Sequence, residues 1–310
     1  MNHSLVAEKG AVAPAGIARL VATILAENPG QRNFLRKSLE TTDRSGLDLF
    51  DAYLKYCDGS GLSAGYLAAS YNLFIRETMK EQVYFARHGC YRYSSYREVA
   101  DSVYLNEDYM RQYMHGLALS TFLWPNHRSI SRFFEAGLPT RLGGHYLEIG
   151  PGHGFHMLRA MASTSFDVYE GIDISPASVG LTRSILSSLA PSGKRFEVRL
   201  ADFLSLPQSV RPAALVMGEV LEHVEVPQRF LQKITELSHQ GTHIYVSTCI
   251  NAPEIDHISL FSTVEQLRDM IAFAGLEVGD ELVLPHSGVS LDEARRTRLP
   301  INVAFILRKL

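Results

Sequence analysis

Three cysteines and a single tryptophan are all that the 310 residues contain of either type. Cys57, Cys90 and Cys249 stand far apart, and an odd, scattered set fits neither a disulfide framework nor a zinc-ligand spacing. Such a set suits a reducing compartment, so a cytoplasmic location is expected. No run of Lys or Arg occurs anywhere, and the net charge is −3 with an isoelectric point near 6.5. A nucleic-acid partner would call for a clustered basic face, and none is expected. No apolar stretch is long enough for a membrane span. Residues 11–25 come nearest, but Pro14, Gly16 and Arg19 interrupt them, and no basic lead-in marks a signal peptide. Repeats and low-complexity tracts are also missing. What is left, 46% apolar and 20% charged residues, is the composition of a globular protein that buries a core. The length suits one large domain or two modest ones.

The chain is organised around Tyr146-Leu147-Glu148-Ile149-Gly150-Pro151-Gly152-His153-Gly154. A short apolar strand carrying an acid runs into three glycines at every second position, and Phe155, Met157 and Leu158 resume at helical spacing. Strand, glycine turn and helix let a ligand lie against bare backbone at a helix N-terminus. A dinucleotide fingerprint wants its third glycine one place later, where Phe155 stands. Residues 168–173 read as the next strand, ending in Asp173 close to where a nucleotide-binding βαβ unit places its ribose carboxylate. Residues 196–200 alternate as a third strand and run into Ala201-Asp202-Phe203. Residues 214–217 are a fully apolar fourth strand, followed by Gly218-Glu219-Val220-Leu221-Glu222-His223-Val224.

Taken together, these motifs resemble class I S-adenosylmethionine (SAM) methyltransferases, from the first-motif pattern Glu-x-Gly-x-Gly-x-Gly onward. The resemblance implies SAM as cofactor, with Glu148, Gly150, Gly152 and Gly154 at its methionine part and Asp173 at its ribose. It places Asp202 and Phe203 at the adenine and Glu219 at the mouth of the reaction site. It covers residues 145–310, where 227–237 and 263–274 read as helices and 243–248 as a fifth strand. Residues 281–284 and 302–307 fit the antiparallel strands with which such sheets finish, and the polar residues 287–300 hold a loop or a short helix (290–296). The fold expected is α/β: a Rossmann-like sheet, parallel with an antiparallel end strand, preceded by an all-helical lid. The domains expected are 1–140, a helical lid and substrate domain, and 141–310, the SAM-binding domain.

Before residue 140 the apolar spacing is helical, with helices expected near 17–25, 34–39, 47–54, 64–87, 95–103, 107–123 and 130–134, and with residues 1–12 a loose end. Tyr84, Phe85, Tyr91, Tyr93, Tyr96, Tyr104, Tyr109, Tyr113, Phe122 and Trp124 crowd into this region. Most of them have a plain reading as helix-packing core. The sharper reading starts from the sulfonium cation of SAM, which aromatic faces stabilise. The run from Tyr113 to His127 is the expected lid, with Tyr113 and His115 as catalytic candidates beside Glu219 and His223.

Glu219-Val220-Leu221-Glu222-His223 also resembles the motif of ubiquinone-type O-methyltransferases and of small-RNA 3′-end 2′-O-methyltransferases. In the latter, two Glu, a His and a downstream His hold a divalent ion. Glu219, Glu222, His223 and His257 would be that set here, of a donor chemistry fit for Mg²⁺, Mn²⁺ or a later metal. A metal-free polar wall is the preferred reading, because Glu-x-x-Glu-His is widespread without metal.

The function expected is methyl transfer from SAM to a small molecule, in secondary metabolism, by a monomer or homodimer. Helical lid plus class I domain is also similar to azetidine-2-carboxylate synthases, in which the amino group of SAM attacks its own γ-carbon and releases methylthioadenosine. A non-catalytic SAM-binding scaffold is the third reading.

Overall fold

In the computed structural model the described residues are 13–99, 106–139 and 143–310. The expected loose end at 1–12, the later part of the 95–103 helix, Tyr104 and the boundary at 140–141 lie outside them. Contacts divide the chain into two compact units, one of residues up to Glu77 with Glu107–Ser129, the other of Thr78–Asn106 with Ile130–Leu310.

The first unit is helical. It holds α1 (Ala15–Glu27), α2 (Arg32–Glu40), α3 (Arg44–Gly59), the first half of α4 (Ala64–His88) and, beyond the short α5 (Tyr96–Val99) of the second unit, α6 (Glu107–Leu123). Asp43 caps α3, its Oδ1 accepting from the Gly46 amide at 2.8 Å. Residues at helical spacing turn inward: Ile17, Leu20, Leu47, Phe50 and Tyr53 are buried, and the rings of Phe50 and Phe122 stack at 4.6 Å. Gly116 lets α6 meet α4, since a Cβ there would stand 2.7 Å from that of Phe74. Buried Arg128 bonds Ser38 Oγ, the carbonyls of Ser38 and Phe122, and Thr41 Oγ1.

The second unit is built on a seven-stranded sheet. α7 (Pro125–Gly137), which begins in the first unit, leads into β1 (His145–Ile149), α8 (Phe155–Ser163), β2 (Val168–Asp173), α9 (Pro176–Leu189), β3 (Phe196–Leu200) and β4 (Ala214–Gly218). α10 (Pro227–Leu237), β5 (His243–Ile250), α11 (Val264–Phe273), β6 (Leu276–Pro285), α12 (Leu291–Thr297) and β7 (Ile301–Lys309) follow. The strand order is β3-β2-β1-β4-β5-β7-β6, with β7 antiparallel to both neighbours and the other pairings parallel. The order reverses between β1 and β4, and in open α/β sheets such a switch point is where a crevice for ligand opens beyond the carboxyl ends of the strands.

Alternation along the strands gives the sheet two different faces. Leu147, Ile149, Leu215, Met217, Ile244 and Val246 join Leu231, Ile234 and Leu267 in an aliphatic core. On the opposite face the register aligns Tyr146 with Tyr169, and Glu148 with Val216 and Tyr245. β6 and β7 exceed the segments expected from their spacing, because each extends its pairing along the other. Among the described residues no helix is long and apolar enough to cross a membrane.

Candidate active site

The glycine loop leaves β1 at the switch point. Gly150, Gly152 and Gly154 have φ of +63°, +56° and +74°, a conformation that disfavours any residue with a Cβ. At Gly150 the space is closed too, since a Cβ would meet Val220 Cγ2 at 2.7 Å. The loop and the segment after β4 therefore touch, although 70 positions separate Gly150 from Val220.

Two carboxyls flank this loop. Glu148 is 2% exposed and accepts the Tyr146 hydroxyl at 2.5 Å. Burial pushes its pKa up to about 8, against the pull of the Tyr146 bond. Asp173, at the end of β2, is likewise raised by burial, opposed by backbone bonds from Ser175, Ile174 and Gly152. The Ser175 amide reaches its Oδ1 at 2.8 Å. The Gly152 amide thus joins the first glycine motif to the second acid.

Asp202 and Phe203 are placed differently from one another. Both carboxylate oxygens of Asp202 serve its own turn, accepting from Leu204 N and Ser205 Oγ at 2.9 Å each. Phe203 sinks into the core beside Phe230. The apolar side chains left open at this edge are Ile174, 54% exposed, and Leu200, 57% exposed, with Leu200 in register with Asp173. Sequence reasoning did not single them out. Their signal was an apolar residue directly after or opposite the acid that ends β2.

The segment after β4 brings the third group together. Glu219 sits in the left-handed region at φ +52°, an uncommon place for a non-glycine residue, and its Oε1 accepts from Ser247 Oγ at 2.7 Å. Glu222 is fully buried, accepting from Thr248 Oγ1 at 2.7 Å. Burial raises the pKa of both carboxyls, and the nearby Glu219 charge adds to the rise at Glu222. Nδ1 of His223 lies 3.1 Å from the Asp256 carbonyl, and Nδ1 of His257 lies 2.6 Å from the Ala252 carbonyl. A carbonyl only accepts, so each Nδ1 carries a hydrogen. Burial pushes the His257 pKa down to about 3.

One ligand atom each from Glu222, His223 and His257 lie within 4.8 Å of one another, and the same holds for Glu219, Glu222 and Cys249. Cys249, whose thiol is 3.8 Å from Glu222 Oε1, was missed by sequence reasoning because a lone cysteine in an apolar strand carries no motif.

Tyr113 and His115 lie in the first unit, each with partners there. The Tyr113 ring is 5.4 Å from that of Phe74. His115 Nδ1 is 2.9 Å from the Tyr53 hydroxyl, and burial pushes its pKa down to about 4.

Within the second unit, the segment following Glu77 lines the loops after β4 and β5. Thr78 Oγ1 donates to Glu254 at 2.8 Å, the Tyr96 amide to Glu225 at 3.0 Å, and the Ala252 amide to the Tyr91 hydroxyl at 3.2 Å. Arg298 lies over the Phe85 ring at 4.8 Å and donates to the Gly89 carbonyl at 3.1 Å.

A family model described as a methyltransferase domain matches residues 123–279, half of the chain. No curated protein matches the sequence. Among solved structures, the mitomycin 7-O-methyltransferase MmcR aligns with TM-score 0.52 at 13% identity, over 80% of this chain and 70% of its own. The mycolic acid cyclopropane synthase CmaA1, solved with S-adenosylhomocysteine (SAH) and CTAB, aligns with TM-score 0.50 at 14% identity, over 60% and 85%. The cyclopropane synthase MmaA2 of Mycobacterium tuberculosis aligns with TM-score 0.50 at 15% identity, over the same shares. At such identities the likeness is one of fold.

Proposed function

The chain belongs to the methyltransferase-domain family, whose cofactor is SAM, and from this premise we propose that it transfers the methyl group of SAM to a small-molecule acceptor in secondary metabolism. The observation that carries the reading is the meeting of three motifs at one switch point: the left-handed glycine loop, the acid ending β2 and the Glu219–His223 segment. The residues fit the cofactor. A glycine loop without Cβ atoms leaves its backbone open to the methionine part, with Glu148 as acceptor for its ammonium. Asp173 is the acceptor for ribose hydroxyls, and Ile174 and Leu200 offer apolar cover beside Asp202.

When bound, SAM supplies an activated methyl carbon, open to in-line displacement. The work left to the chain is alignment, exclusion of water and proton handling. Glu219, held by Ser247, and His223 are the groups that take a proton from the acceptor. The burial of Glu222 and His257 keeps water from that face.

A divalent cation is a second reading at the same face. His223 and His257 each give Nδ1–H to a backbone carbonyl, as metal-binding histidines commonly do with the ring nitrogen that is not the ligand, and one ligand atom of each lies within 4.8 Å of one from Glu222.

The test is incubation of the protein with SAM, with and without small nucleophiles and a chelator, followed by mass spectrometry. SAH formed only with an acceptor supports methyl transfer. Methylthioadenosine from SAM alone replaces it with cyclisation to azetidine-2-carboxylate. Failure to bind SAM at all sinks both. Loss of turnover on chelation, restored by added Mn²⁺, supports the cation.

A further inference from the structure

We infer that Tyr91 is a positioning residue for the reacting face: through the backbone of Ala252 it holds His257, which stands beside Glu222 and His223, in the Nδ1–H form. The backbone of Ala252 is held on both sides of its Cα. Its amide donates to the Tyr91 hydroxyl at 3.2 Å, and its carbonyl takes the His257 Nδ1–H at 2.6 Å. The Tyr91 ring is also 5.9 Å from that of His257, so hydroxyl and ring address the same turn. Just before it, Asn251 stands in the left-handed region at φ +48°, a strained start that a fixed amide helps to hold.

Tyr91 is in turn fixed from behind. Its ring lies 5.7 Å from Phe85, and Arg298 covers Phe85 and bonds Gly89 two residues upstream. Thr78 on Glu254 ties the turn down at a further point. Nothing in the sequence joins Tyr91 to His257, which are 166 positions apart. Only the turn after β5 brings them together.

The proposal deepens the reading of Glu219–His257 as the reacting face, but its readout is independent of that reading. Full-length protein labelled with ¹⁵N-histidine reports the His257 tautomer by long-range ¹⁵N–¹H correlation, the signal being assigned by its loss in His257→Gln. The wild type is expected in the Nδ1–H form. Tyr91→Phe keeps the ring and removes the acceptor for the Ala252 amide. It is expected to shift the tautomer ratio by about fivefold to tenfold, the worth of one buried hydrogen bond. The His115 signal and affinity for SAH should stay as in the wild type. A folded Tyr91→Phe protein with the wild-type His257 tautomer overturns the proposal, even if its melting temperature has fallen. Should Tyr91→Phe not fold, Arg298→Asn loosens the support from outside the cluster and keeps a residue that tolerates left-handed backbone. A smaller shift in the same direction supports the inference, and an unchanged tautomer counts against it. If the wild type itself fails to bind SAH, the functional reading falls while the tautomer result still stands.

Discussion

Gly150→Ala probes the contact on which the site is assembled. Two costs are legible. The left-handed backbone at φ +63° costs an alanine about 1–2 kcal/mol relative to glycine. The new methyl would also stand 2.7 Å from Val220 Cγ2. Ordinary carbon–carbon contact is near 3.5–4.0 Å, so the loop and the β4 segment would have to part by about 1 Å. Overpacking of this kind costs about 1–3 kcal/mol. The sum, about 2–5 kcal/mol, leaves a typical domain folded but weakened. Urea unfolding measures the total, and SAH titration is expected to report an affinity loss of about tenfold or more, because the parted loop no longer presents its backbone. Val220→Ala isolates the contact. In a double-mutant cycle the two substitutions should couple by about 1 kcal/mol or more, the double variant being more stable than additivity allows. Gly150→Ala with parental stability and SAH affinity would refute the reasoning outright. A destabilised Gly150→Ala with no coupling to Val220→Ala would refute the contact and leave only the backbone strain.

Other perturbations test other parts. Glu148 keeps its proton to about pH 8 when folded, whereas an unfolded glutamate ionises near 4.3. Its contribution to stability is therefore whole below that lower value and lost as pH rises through the higher one. Wild type should lose ground to Glu148→Gln across this window in urea titrations, and a flat difference contradicts the shift. Asp173→Ala should weaken SAM binding by about 2–3 kcal/mol, the scale of a charge-assisted pair, and near-native affinity by calorimetry removes Asp173 from the ribose. Arg128→Lys should cost the first unit about 2–3 kcal/mol, since an ammonium cannot reproduce four bonds in a planar fork. An unchanged unfolding midpoint denies that role.

The parts of this molecule that could be read from the chain are those written in neighbouring residues. Helical spacing marks α1 or α6 because each buries one stripe, and the glycine loop declares itself because left-handed backbone at alternate positions requires glycine. The acid within β1 and the acid ending β2 follow from the same local grammar. Long-range partnerships had no such signature. Cys249 joins Glu222, and Tyr91 reaches Ala252, only because β5 ends beside both. Phe203, expected at the adenine, packs beside Phe230 in the core, a contact that no local pattern announces. The Glu219–His257 set lay between these cases. Glu-x-x-Glu-His is local, but its closure by His257 depends on the turn after β5.

The seating of β7 between β5 and β6 has a consequence for how the chain is made. Synthesis runs from β5 through β6 before β7 exists. Until residues 301–309 emerge, β5 presents an open apolar edge of sequence His243-Ile244-Tyr245-Val246-Ser247-Thr248-Cys249-Ile250, and β6 has no neighbour on which to pair. Such an edge invites pairing with other chains. Insertion of β7 closes it and brings β5 and β6 into one ladder. Completion of this sheet is thus a non-local event, and the edge is most open to aggregation just before β7 arrives.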